Sequence, residues 1–243
     1  MDLKRYFEIS IGTSPIILSC THGGFKKPRR IPDKLQGPRI PDKNTYFIAK
    51  QIIHEFKKQK LNVSIFYILN KVHRSKIDLN RPAHSQMAFN QSSDEARNIY
   101  HAYHDQLIKF VLECVSTYDR CLILDFHGFS KPERDYPEII FGHLFGNSLS
   151  LFQESDKEDC DKYWGYFQLE QEISRRFLVD NGLTLTNYNL PYSGGYITRQ
   201  FYNKDKINAI QIEIAKELRV NFERCKMFVN TFVKALIQTL SDY

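Results

Sequence analysis

His22, Asp42, His127 and Glu213 are the residues of this 243-residue chain whose types suit hydrolysis at a metal ion. Two imidazoles and one carboxylate can hold catalytic zinc and leave a coordination position open for water. Each of the three stands where a regular element begins or ends. His22 follows the short apolar run 15–20, Asp42 precedes a helical pattern, and His127 lies at the end of the run that starts at Cys121. They are scattered along the chain. Spacing alone therefore also permits a loop histidine, a helix cap and a packed core residue.

Glu213 interrupts an apolar stretch, Ile210-Gln211-Ile212-Glu213-Ile214. A carboxylate among isoleucines is costly to bury unless it is paired or functional. Near a metal it would take the proton of an attacking water and pass it to a leaving amine. On an edge strand it would simply face solvent. Asp125 precedes His127 by two residues and so shares its face of a strand. That suits a carboxylate accepting a hydrogen bond from the second ring nitrogen of a ligand histidine. Arg81, supported by Asn80, could clamp a substrate carboxylate with two parallel hydrogen bonds or form an ordinary surface salt bridge. Arg74 is a second candidate for anion contact. Tyr192, Gly194 and Gly195 offer a hydroxyl and closely approaching backbone to a pocket wall, or else form a plain glycine turn.

The elements that must carry these groups follow from periodicity. The run 15–20 predicts a strand that stops at Thr21-His22-Gly23-Gly24, and residues 25–42 form a long loop, a length that usually serves a site. Tyr46, Ile48, Ala49, Ile52, Ile53 and Phe56 fall at helical spacing and predict a helix over 43–60, capped by Asp42 or Asn44. Alternation over 62–70 places Val63, Ile65, Tyr67 and Leu69 on one side of a strand. Ser92 with Glu95 three residues on predicts a capping box before a long helix over 93–117, striped by Ile99, Tyr103, Leu107, Val111 and Cys114. The central strand follows at 121–127. A short strand over 139–143, a helix over 163–180 closed by Asn181-Gly182, an extended stretch at 183–187, a strand through 209–214 and a helix over 221–240 complete the chain. Strands separated by helical segments indicate an α/β sheet with helices on both faces, in a single domain over 1–243.

Composition narrows the class. Apolar residues make up 42% of the chain, with 18 Phe and 14 Tyr, which fits a packed soluble protein. The net charge of +6 is modest, and the basic clusters (Lys26-Lys27 with Arg29-Arg30, and Lys57-Lys58 with Lys60) are short. They read as solvated surface without an aromatic platform for nucleic acid. No targeting segment or membrane-spanning run is expected, and five unpaired cysteines point to a reducing, cytoplasmic setting. The oligomeric state is open.

Six motifs then occur in one order: Ser19-Cys20-Thr21-His22-Gly23-Gly24, Pro41-Asp42-Lys43-Asn44-Thr45, Ile77-Asp78-Leu79-Asn80-Arg81, Leu124-Asp125-Phe126-His127-Gly128, Pro191-Tyr192-Ser193-Gly194-Gly195 and Gln211-Ile212-Glu213-Ile214. Together they span about residues 15–216 and resemble the N-formylglutamate amidohydrolase family. The resemblance implies a three-layer α/β sandwich with a mixed, mainly parallel central sheet, the zinc-carboxypeptidase-like (phosphorylase/hydrolase-like) fold. It implies one divalent metal ion, zinc, on His22, Asp42 and His127, with Glu213 as general base and then acid. Arg81 would bind the carboxylate of an N-formyl or N-acyl amino acid or short peptide. The chain departs from the family's pattern at Gly23, Phe126 and Gly128 and over 129–190, so hydrolase chemistry carries over more firmly than the formylglutamate substrate. Rival readings are a carboxypeptidase-like or cell-wall peptide amidase on the same scaffold, and a non-catalytic binding protein that keeps the fold.

Overall fold

The computed structural model describes residues 2–150, 163–183 and 192–241. Seven strands form one mixed sheet: β1 (Phe7–Ser10), β2 (Ile16–Cys20), β3 (Phe66–Asn70), β4 (Cys121–Phe129), β5 (Ile139–Gly142), β6 (Val179–Asp180) and β7 (Ile207–Ala215). Their order across the sheet is β1-β3-β2-β4-β7-β5-β6. The pairs β2–β3, β2–β4, β4–β7 and β5–β6 are parallel, while β1–β3 and β5–β7 are antiparallel. The expected three-layer sandwich with a mainly parallel sheet is what forms.

Helices cover both faces. Helix α1 (Thr45–Gln59), α3 (Tyr166–Ser174) and α6 (Phe222–Ser241) pack on one face, against Leu18, Leu124, Phe126, Ile212 and Ile214. Helix α2 (Asp94–Tyr118) packs on the other, against Ile17, Ile68, Ile123 and Ala209. Two short helices, α4 (Tyr196–Arg199) and α5 (Lys216–Val220), flank β7. Alternation explains the site's placement. On β4, Cys121 and Ile123 bury against α2, and Asp125 and His127 continue the same parity toward the strand's C-terminal end. On β7, Ala209 sets the same parity for Gln211 and Glu213. The carboxyl ends of parallel strands are where such sheets bind ligands.

Several local expectations change. Helix α3 ends at Ser174, well short of 180. Phe177 turns into the core, and the Leu178 carbonyl accepts from the backbone of Glu138 and Ile139, so the chain re-enters the sheet as β6. The N-cap of α2 is Ser93, whose side chain accepts from the Ala96 N–H at 3.2 Å. Ser92 instead donates to Asn90 Oδ1 at 2.7 Å, so no Ser92–Glu95 box forms. Neither Asp42 nor Asn44 caps α1 with its side chain, because Asn44 Nδ2 donates to the Arg219 carbonyl and the Asp42 carboxylate is engaged elsewhere. The strand within 62–70 is confined to Phe66–Asn70, although Val63, Ile65, Tyr67 and Leu69 do face one side. The antiparallel edge strand β1 is an addition to the predicted elements, formed where Phe7, Ile9 and Ile11 alternate with Glu8 and Ser10. The polar stretch 153–161 and most of 183–187 lie outside the described residues.

Candidate active site

His22 follows the end of β2, Asp42 precedes α1, and His127 sits near the end of β4. All three side chains are buried, at 3%, 7% and 2% exposure. His22 Nδ1 and His127 Nδ1 lie 3.0 Å apart, and Asp42 Oδ2 lies 3.4 Å from the first and 3.5 Å from the second. A tetrahedral zinc centre with bonds of about 2.0–2.1 Å separates its ligand atoms by roughly 3.3–3.4 Å. The triangle therefore has the dimensions of three corners of such a centre.

The other nitrogen of each imidazole settles which atom faces the centre. His22 Nε2 lies 2.6 Å from Asp78 Oδ1, and His127 Nε2 lies 2.6 Å from Asp125 Oδ2. A carboxylate only accepts, so each Nε2 carries a proton, and in the neutral imidazole that a metal would bind each Nδ1 turns a lone pair inward. Three inward-facing lone-pair donors in a buried space repel one another unless a cation sits among them. The donor set thus fits a divalent ion on the chemistry of its own atoms.

Both backing carboxylates are themselves held. Asp125 Oδ1 accepts from Ser19 Oγ at 2.6 Å, and Ser19 shares a hydrogen bond with the Tyr103 hydroxyl at 2.8 Å. Asp78 Oδ2 accepts from Arg74 Nε at 3.0 Å and lies 3.4 Å from Lys34 Nζ. Lys34, within the loop 25–42, is fully buried, and its ammonium also donates to the Met87 carbonyl. Burial pushes the Asp42 and Asp78 carboxyls upward, but the facing imidazoles, with Arg74 and Lys34 at Asp78, more than offset it. Both are held well below the ordinary carboxylate range. Burial lowers the His127 pKa, but the Asp125 charge outweighs it and raises the value well above the usual imidazole range.

Glu213 stands opposite His127 in the β4–β7 register. Its Oε1 accepts from Gln211 Nε2 at 2.8 Å, while buried Oε2 has no hydrogen-bond partner among the described residues. Burial raises its pKa to about 7; the His127 imidazole pulls the other way, and the Asp42 charge reinforces the rise. A carboxyl poised near neutrality with one oxygen unpartnered is equipped to take and return a proton.

His22, Asp42, His127 and Glu213 line one cavity of about 680 Å³, together with Arg74, Asn80, Arg81, Tyr192, Gly194 and Gly195. Every predicted site residue therefore reaches this cavity except Asp125, which lies behind His127. Arg74 differs from its expected part as an anion contact. Its guanidinium bridges Asp42 Oδ1 at 3.2 Å and Asp78 Oδ2 at 3.0 Å, so it braces two site carboxylates. Asn80 also spends its side chain internally: Oδ1 accepts from the Ile197 N–H at 2.9 Å and Nδ2 lies 3.4 Å from Gln211 Oε1. A Cβ at Gly195 would come within 2.1 Å of Asn80 Nδ2, so only glycine fits there. Arg81 turns its buried Nε toward Asp78 Oδ2 in a long ion pair of 4.0 Å, too far for a hydrogen bond, while its side chain is 42% exposed at the cavity. Sequence reasoning missed the parts played by Asp78, Lys34 and Gln211. The Asp-Leu-Asn-Arg stretch was the available signal for Asp78, and Gln211's parity with Glu213 was the signal for Gln211.

The family model for N-formylglutamate amidohydrolase matches residues 84–219, more than half of the chain. The chain belongs to the N-formylglutamate amidohydrolase family. No curated protein matches it. Two solved structures share the fold. One is an N-formylglutamate amidohydrolase from Ralstonia eutropha JMP134, with TM-score 0.67, 14% identity and 97% of each chain covered. The other is a gene product of Agrobacterium tumefaciens, with TM-score 0.67 and 15% identity, covering 98% of this chain and 94% of that one. As a member of this amidohydrolase family, the chain is a hydrolase. Among the described residues no helix is long and apolar enough to cross a membrane.

Proposed function

We propose that this N-formylglutamate amidohydrolase family member hydrolyses the amide bond of an N-formyl or other N-acyl amino acid, with one divalent ion, zinc, as its cofactor. His22 Nδ1, His127 Nδ1 and Asp42 Oδ2 would hold the ion, which when present would polarise the scissile carbonyl and acidify a water molecule. The observation that carries the reading is the inward triangle of donor atoms backed by Asp78 and Asp125, with the unpartnered Glu213 Oε2 on the same cavity.

Glu213 takes the proton from the attacking water through Oε2 and delivers it to the departing amine nitrogen. Gln211 fixes the carboxylate by its other oxygen, so the proton has one oxygen on which to ride. Arg81 pairs with the carboxylate of the amino-acid part from its exposed position at the cavity. Tyr192 and the Gly194-Gly195 backbone form the wall against which the acyl group lies. Because the site draws on residues from His22 to Glu213, we read the chain as one catalytic unit.

A screen of N-formyl, N-acetyl and N-succinyl amino acids against zinc-loaded protein tests this reading. Release of a free amino acid, fastest from an N-formyl or short N-acyl substrate, is the expected result. Turnover confined to longer peptides would favour a peptide amidase instead. A protein that binds zinc yet releases amine from none of these would contradict the proposal.

A further inference from the structure

Arg219, in α5, is 5% exposed, and no carboxylate pairs with its guanidinium among the described residues. Each of its three nitrogens donates to a backbone carbonyl. Nε donates to Ile214 O at 2.9 Å, Nη2 donates to Phe129 O at 3.1 Å, and Nη1 donates to Lys43 O. Lys43 follows Asp42, Phe129 lies two residues beyond His127, and Ile214 follows Glu213. One cation therefore touches all three segments that deliver these side chains.

Two further contacts tighten the arrangement. The Arg219 carbonyl accepts from Asn44 Nδ2 at 3.0 Å, which holds the left-handed turn (φ 71°) at the start of α1. The guanidinium also lies close against Gly128, where an added Cβ would stand 2.4 Å from Arg219 Cζ and 2.5 Å from Nε. Gly128 in turn donates its N–H to Asp42 Oδ2 at 3.0 Å, the oxygen that faces both imidazoles. Its hydrogen-bond partners are neutral carbonyls, while the charges of Asp42, Glu213 and Glu217 act on it only through space, so the contacts themselves fix geometry. A planar fork with donors in fixed directions can reach three carbonyls at once, whereas an ammonium on a flexible stem cannot hold all three in the same relation.

We infer that Arg219, seated on Gly128, is a positioning residue that sets the mutual distances of Asp42, His127 and Glu213. The inference rests on the hydrolase reading above.

The test uses Arg219→Ala, Arg219→Lys and Gly128→Ala in the full chain, each checked for folding by circular dichroism and assayed well below its own melting temperature. Zinc affinity is read by competition with a chromophoric chelator, and kcat and KM with the best substrate of the N-acyl screen. Displacement of the site atoms is expected to cost roughly 100-fold in kcat, with about 10-fold weaker zinc binding. KM moves little, because Arg81 is untouched. Guanidinium ion at millimolar concentration should restore part of the kcat of Arg219→Ala, and the lysine variant should remain impaired. If Arg219→Ala fails to fold, the lysine and Gly128→Ala variants carry the same readouts. Folded variants with wild-type zinc affinity and kcat would overturn the inference, as would a loss repaired equally by a stabilising osmolyte. A wild-type protein that neither binds zinc nor hydrolyses any substrate would instead overturn the hydrolase reading itself.

Discussion

His127 and Glu213 are register partners on the adjacent parallel strands β4 and β7. The pairing fixes a proposed metal ligand and a proposed proton carrier on neighbouring backbones, on the same face and at the same height. A one-residue slip of either strand would send its side chain to the opposite face. Two ladders of apolar residues, Leu122-Leu124-Phe126 and Ile210-Ile212-Ile214, prevent that slip by burying against the helices on the far side. The core thereby specifies the geometry of the chemistry.

Glu213→Gln keeps the shape and the hydrogen bonding of the side chain but removes the proton acceptor. It should lower kcat by roughly 10²- to 10⁴-fold while zinc content stays at the wild-type level. Parallel steady-state assays and elemental analysis on one preparation would check both halves of this expectation.

The same group predicts a pH profile. Burial holds the Glu213 carboxyl up at about 7, and the neighbouring imidazole pulls it down. The working form is the carboxylate, so kcat/KM should rise with pH along an acidic limb. A divalent ion in the adjacent site adds to the downward pull, which sets the limb at or below pH 7. A rate that falls as pH rises through this range would assign Glu213 the wrong protonation state.

Asp78 and Asp125 each orient a ligand imidazole from behind. Asp78→Asn and Asp125→Asn should weaken zinc binding by about 10- to 100-fold each, because the amide is a poorer acceptor and leaves the ring free to turn. Chelator competition measures this directly, and unchanged affinity in either variant would remove that carboxylate from the account.

Arg81 is the proposed carboxylate anchor. Its removal deletes charge-assisted hydrogen bonds worth about 1.5–3 kcal/mol, or roughly 10- to 150-fold in KM. Arg81→Ala should show that rise with kcat altered by less than about 3-fold, the pattern of lost uniform binding. The effect should vanish for a substrate whose carboxylate is replaced by an amide.

His104 gives a prediction about stability alone. It is buried on α2, accepts or donates only within the protein (Leu79 O at 3.0 Å, Gln200 Nε2 at 3.2 Å), and burial lowers its pKa to about 4. The unfolded chain takes up that proton near pH 6.5. Between these two values the unfolded state binds more protons, so stability falls as pH drops through the window and is fully present above it. The loss sums to about 3 kcal/mol at most. Chemical denaturation at several pH values should show this slope, and His104→Gln should flatten it.

The sequence made the working groups legible because they sit at or near the C-terminal ends of apolar strands, His22 just past β2 and His127 and Glu213 within the last three residues of β4 and β7. His22, His127 and Glu213 were readable for that reason, and Asp125 through its two-residue offset from His127. Asp78 was harder: it lies in a loop without periodicity, and its link to His22 exists only once that loop folds over β2. Lys34 and Arg219 look like surface cations in sequence, since nothing local announces burial; the contacts that bury them come from residues 43–44, 78, 87, 128–129 and 214. The strand β6 was read as helix because its two residues gain their conformation from pairing with β5. Arg74 was readable as a cation near the site but not as the brace between Asp42 and Asp78.

The most direct test of the central claim is the metal stoichiometry and coordination of the purified full chain, by elemental analysis with zinc X-ray absorption. The account predicts one zinc per chain, bound by nitrogen and oxygen atoms at about 2.0–2.1 Å, and lost in His22→Ala, Asp42→Ala and His127→Ala. Zinc bound through cysteine sulfur, or a stoichiometry that the His127→Ala change leaves untouched, would contradict it.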